Sequence, residues 1–191
     1  VGSDQGILFA FSGTSRKRMR AEGLLALKRL GYEGKGDITV ISDGEDCLKR
    51  LKFALPQPAK HILDWFHIAM KLRPVEQTAA WWARRLPPDE QEEFQEDIAA
   101  VRWRLWNGQT DRAIDLIGRL FHDLKGDEQG SAAIVSLRGG LLNLRNYMEQ
   151  NRGSITNYGA RYREGRRIAS TAAEANVNNL VARRMVKKQQ M

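Results

Sequence analysis

Apolar positions recur along this chain in two rhythms, short continuous runs in its first third and helix-spaced positions after it. Residues 7–11, Ile-Leu-Phe-Ala-Phe, have the length and composition of a buried strand. Residues 16–30 predict a helix with Leu24, Leu27 and Leu30 among its apolar positions, and Gly31 is a natural C-terminal stop. Residues 38–42, Ile-Thr-Val-Ile-Ser, predict a second buried strand that delivers Asp43 at its C-terminal edge, followed by Gly44. Residues 45–55 predict a short helix stopped near Pro56. Residues 61–66, His-Ile-Leu-Asp-Trp-Phe, predict a third strand leading to His67.

From Ile68 onward the pattern is helical. One helix is expected from Ile68 to about Leu86, with Pro74 a kink or break, and Pro87-Pro88 punctuates it. Asp89–Trp106 follows, stopped by Asn107-Gly108, then Gln109–Lys125, a loop at Gly126–Gly130, and Ser131 to about Gln150, weakened by Gly139-Gly140. Residues 151–169 have little periodicity and read as a loop; residues 171–188 read as the last helix. The acids Asp89, Glu90, Glu92, Glu93, Glu96 and Asp97 open a helix, where negative charge is favoured, and read as a solvated face. Trp81, Trp82, Trp103 and Trp106 read as helix-packing aromatics, with base stacking the alternative.

Composition narrows the class. The chain has 191 residues, enough for one good-sized domain or a core with an insertion, and no apolar run approaches the ~20 residues of a membrane span. The start lacks the basic stretch and apolar run of a secretory signal, and Cys47 stands alone, so no disulfide forms within these residues. The expected location is the cytoplasm. The net charge of +8 is concentrated: residues 152–191 hold nine Arg and Lys against Glu164 and Glu174 alone. A basic segment of this kind suits a polyanion, most simply nucleic acid; a solvated basic helix and loop is the bland alternative.

Two carboxylates carry the candidate chemistry. Asp43 ends an apolar strand, though an ordinary strand-end turn would look the same. Glu174 lies inside the apolar arc of Val177, Leu180, Val181 and Met185 on the last helix. A glutamate on such a face needs a partner; a divalent cation is one, a salt bridge another. The two acids are expected to face one cleft, with His67 approaching it. His67 either orients a phosphate or a water, or caps the strand end. Asp64 either orients His67 or caps the following helix.

The order strand, helix, strand-Asp, helix, strand, long helical block, helix-Glu resembles the second half of a ribonuclease-H-like fold. Asp43-Gly44, Leu63-Asp64-Trp65-Phe66-His67-Ile68-Ala69-Met70, and Glu174 with Asn178 and residues 184–191 resemble a bacterial insertion-sequence transposase of the DDE class, related to the Mutator-like transposases. That family places Cys-x-x-His where this chain has Asp64-x-x-His67. The resemblance implies an α/β fold: a partial ribonuclease-H-like core at 1–67, its first two strands and first acid missing upstream, a large α-helical insertion at 68–155, and a loop with the Glu-bearing helix at 156–191. It implies Asp43 and Glu174 as the second and third catalytic acids holding two Mg²⁺ ions, with Mn²⁺ able to substitute, and His67 as a further catalytic group. The implied partner is DNA, transposon ends and target, bound through Arg161, Arg163, Arg166, Arg167, Arg183, Arg184, Lys187 and Lys188. It further implies no membrane, a homo-oligomer when intact, a bacterial, nucleoid-associated location, and an inactive fragment when alone. The rival expectation is a non-catalytic basic α-helical DNA-binding or interaction protein, with Asp43 and Glu174 merely structural.

Overall fold

The computed structural model describes residues 15–56, 58–124 and 132–170. Within them the chain is mostly helical, with a small two-stranded parallel sheet. It divides into two compact units, one drawing its described residues from Val1–Ile62 and Ala169–Met191, the other formed by Leu63–Ile168. The expected strand at 7–11, the loop at 126–130 and the helix at 171–188 lie outside the described residues.

The first unit is a helix followed by a βαβ crossover. Helix α1 (Arg16–Arg29) starts where the Ser15 side chain accepts the Arg18 N–H. It ends in two reversed hydrogen bonds, Gly31 N–H to the Lys28 carbonyl and Tyr32 N–H to the Leu27 carbonyl. That closure needs a left-handed residue after the cap, and Gly31 supplies it at φ 81°. Strand β1 (Ile38–Ser42) pairs in parallel with β2 (Ala59–Leu63), and α2 (Asp46–Ala54) makes the connection a parallel pair requires. A Cβ at Gly23 would stand 2.8 Å from Leu55, so the missing side chain lets α1 lie close against the end of α2.

The second unit is a helical bundle. Helix α3 (Trp65–Ala83) packs on α4 (Pro88–Trp106) and α6 (Ala132–Gln150), and α5 (Thr110–Asp123) packs on α4 and α6. The sequence reason is a repeat of apolar residues alternating between four and three positions. Ile68, Leu72, Val75 and Ala79 line α3, and Leu137, Leu141, Leu144 and Met148 line α6, all buried in one cluster. Pro88 opens α4 at a position where no N–H is needed.

Four expectations are corrected. Residues 64–66 are not strand: β2 stops at Leu63, and Asp64 caps α3, which begins at Trp65. Pro74 does not break α3. Pro74 and Met70 are both exposed, so the carbonyl deprived of its donor can be hydrated and the helix runs through. Residues 151–169 are not all loop. A 3₁₀ turn (Arg152–Ser154) and helix α7 (Tyr158–Arg163) lie within them, held by fully buried Tyr158, whose hydroxyl donates to the Leu63 carbonyl at 2.8 Å. The four tryptophans do not all pack: Trp82 and Trp106 lie against the core, whereas Trp81 and Trp103 are 43% and 59% exposed. The acids opening α4 are solvent-facing as expected, with Asp97 partly covered. No helix among the described residues is long and apolar enough to cross a membrane.

Candidate functional site

Asp43 follows β1 directly, at the strand's C-terminal end, with its side chain exposed. Its Oδ1 accepts the Glu45 N–H at 3.1 Å, and Gly44 turns the chain at φ 95°. A side chain would be strained at that φ, so the glycine lets the strand end abruptly beneath the carboxylate. One residue earlier, Ser42 is buried, and its Oγ lies 2.8 Å from Nε2 of buried His61 on β2. Burial first, then Lys52 and Lys49, lower the His61 pKa, and Asp43 opposes them. The neutral imidazole is therefore favoured, hydrogen-bonded to the hydroxyl beneath the exposed acid. Carboxyl ends of parallel strands are where α/β folds commonly display their working side chains.

In the second unit, Asp64 is completely buried. Its Oδ1 accepts the Phe66 N–H at 2.8 Å and its Oδ2 lies 3.4 Å from Nδ1 of His67. Of the two roles open to it from sequence, the carboxylate caps α3, and it stands near the histidine one turn on. Trp65 is fixed between them, its N–H donating to the Ile168 carbonyl and its ring lying edge-on to Trp106 at 4.9 Å and tilted against Tyr158 at 5.0 Å.

Of the arginines expected to bind DNA, Arg161, Arg163, Arg166 and Arg167 lie within the described residues, on α7 and the turn after it. Arg161 Nη2 donates to the Arg167 carbonyl at 3.2 Å, and Arg166 Nε lies 3.0 Å from Glu164 Oε2. Arg163, Arg166 and Arg167 are exposed, and Tyr162 among them is 67% exposed. Glu174, Arg183, Arg184, Lys187 and Lys188 lie outside the described residues.

Asp43 offers the hard oxygen donor that Mg²⁺ prefers, in an exposed position. Asp64 does not, being buried and turned to its own helix and to His67. Among the described residues no three His, Cys, Asp or Glu side chains group to hold a metal. The Ser42–His61 pair and the Tyr158 hydroxyl went unread in the sequence. A signal existed for the first: Ser42 and His61 are polar residues set in two apolar strand runs, and such residues are buried only with a partner. Comparison with protein-family models, curated proteins and solved structures returns no match.

Proposed function

We propose that this chain carries part of the catalytic core of a DDE-class transposase related to the Mutator-like transposases, acting on DNA with Mg²⁺. In this reading the parallel pair belongs to a ribonuclease-H-like core, and the helical bundle is the insertion before the Glu-bearing helix. The observation that supports it best is the exposed carboxylate of Asp43 at the carboxyl end of a parallel strand, followed by a glycine in left-handed conformation.

Asp43 and Glu174 are the assigned ligands, carboxylates suited to a hard cation. When bound, a pair of Mg²⁺ ions activates the attacking oxygen and stabilises the leaving one. The remaining work falls to the chain. Asp64 Oδ2 stands 3.4 Å from Nδ1 of His67, which leaves Nε2 as the atom assigned to a phosphate oxygen or water proton. The arginines of and after α7 hold the DNA backbone by charge. A second reading, DNA binding without catalysis, draws on the exposed Arg163, Arg166 and Arg167 around Tyr162.

Strand cleavage separates the two. The product of the open reading frame containing this chain is incubated with end-labelled duplex DNA and Mg²⁺. Asp43→Asn and Glu174→Gln should each abolish cleavage while binding survives, and His67→Ala should slow it by about 10²–10⁴-fold. Cleavage at the parent rate by either carboxylate variant contradicts the transposase reading and leaves the binding protein.

A further inference from the structure

We infer that the groove between α4, α5 and α6 is a second nucleic-acid surface, which takes a single strand with its phosphates on Arg112 and Arg119 and a base on Trp103. The groove has a volume of about 840 Å³ and draws Trp103 and Arg104 from α4, Arg112, Asp115 and Arg119 from α5, and Arg145 from α6. It lies wholly within the helical bundle and shares no residue with the arginines of α7. For the nature of the polymer the inference rests on the nucleic-acid reading above.

Charge is the first support. Four arginines line the groove against one acid, Asp115. Two of the four are held by the protein. Arg104 donates to the Arg112 carbonyl at 3.5 Å, and Arg145 pairs with Glu149 at 3.0 Å. The Arg145 guanidinium lies against Gly118 of α5, 3.6 Å from where a Cβ would stand, an ordinary contact distance. The other two, Arg112 and Arg119, are exposed and make no ion pair among the described residues. Seven positions apart, they lie on one face of α5, about 10 Å from each other along the axis, and so address different phosphates.

Trp103 is the second support. Its indole is 59% exposed at the edge of this cluster, an apolar area that the bundle leaves in water. A site for phosphate alone has no use for it, and an apolar protein partner would have to bury the arginines. A base plane satisfies both, since every base has a face to stack and a phosphate on each side. In a duplex those faces are already stacked, so the single strand is the better fit.

The test is fluorescence anisotropy of a labelled oligothymidylate of about 16 nucleotides, long enough to cover the groove, titrated with protein across a range of salt. Trp103→Ala should weaken binding roughly 5- to 150-fold, and Trp103→Phe should restore most of it. Arg112→Ala with Arg119→Ala should flatten the salt dependence by about 1.4, from ~0.7 per lost phosphate contact. All three side chains are exposed, and unchanged thermal melts will show that the variants fold. A parent that does not bind the oligothymidylate, or groove variants with parental affinity and slope, overturns the inference. So does an arginine effect with no effect of Trp103→Ala, which leaves a bare phosphate site. If Arg161, Arg163, Arg166 and Arg167 replaced by Ala weaken duplex binding while the groove variants do nothing, this inference alone fails. If Asp43→Asn still cuts DNA while the groove variants behave as expected, the catalytic reading alone fails.

Discussion

His61 is the residue whose protonation the fold most clearly opposes. It is 2% exposed, its Nε2 is committed to Ser42, and burial with Lys52 and Lys49 lowers its pKa from the ordinary 6.5. The unfolded chain therefore binds this proton at a higher pH than the folded one. The stability that neutral His61 contributes is present above about pH 6.5 and is lost as pH falls from there toward the lowered folded value. Urea melts at a series of pH values should show the midpoint falling in that window, and His61→Gln should remove that part of the slope. A pH profile unchanged by the substitution would contradict the assignment. Single residues were legible in sequence where local chemistry alone decides them. Gly31, at a helix end, and Asp64, three residues ahead of His67, are of that kind. Tyr158 was not, because its value comes from the Leu63 carbonyl, 95 positions away, and no local pattern announces such a partner.

At the level of elements, spacing was a good guide to the long helices and a poor one to short pieces. The heptad-like rows of α3 and α6 are their own evidence, and Gly139-Gly140 did not stop α6 because the apolar row continues on both sides of them. Six residues of α7 offer no period to detect; a buried tyrosine and an Asn157 cap holding the Ala160 N–H make that helix. Likewise, 61–66 read as one apolar run because strand and buried helix start look alike at that length, and Asp64 marks the change. The two glycines of α6 yield a paired prediction. A Cβ at Gly139 meets nothing within 4 Å, whereas one at Gly140 stands 3.2 Å from Val75. Gly139→Ala should stabilise the bundle by about 0.5–1 kcal/mol, the ordinary helix gain. Gly140→Ala should give less than that, or destabilise, because Val75 on α3 must shift. Thermal melts that reverse this order would contradict the packing of α3 on α6.

On the scale of the whole molecule, charge is the organising fact. Residues 152–191 hold nine of the 31 basic residues and only two of the 23 acids. Their four arginines nearest α7 lie within the described residues, three of them exposed. If they contact duplex phosphates, replacing Arg161, Arg163, Arg166 and Arg167 by Ala should flatten the salt dependence of binding by about 3.6 units, at ~0.9 per contact, and weaken all sequences alike. An unchanged slope moves the DNA path away from α7. The charge asymmetry was plain in the sequence, because it is a count. Whether two acids 131 positions apart meet was not, because that depends on chain path.

That meeting is the central claim, and Mn²⁺ binding read by its electron paramagnetic resonance tests it most directly. The parent, Asp43→Asn, Glu174→Gln and the double variant are titrated with the ion. Carboxylates that hold the same ion are coupled, so each single variant should lose most of the affinity and the double variant should lose little more. Parental affinity in Asp43→Asn, or losses that simply add in the double variant, would contradict it.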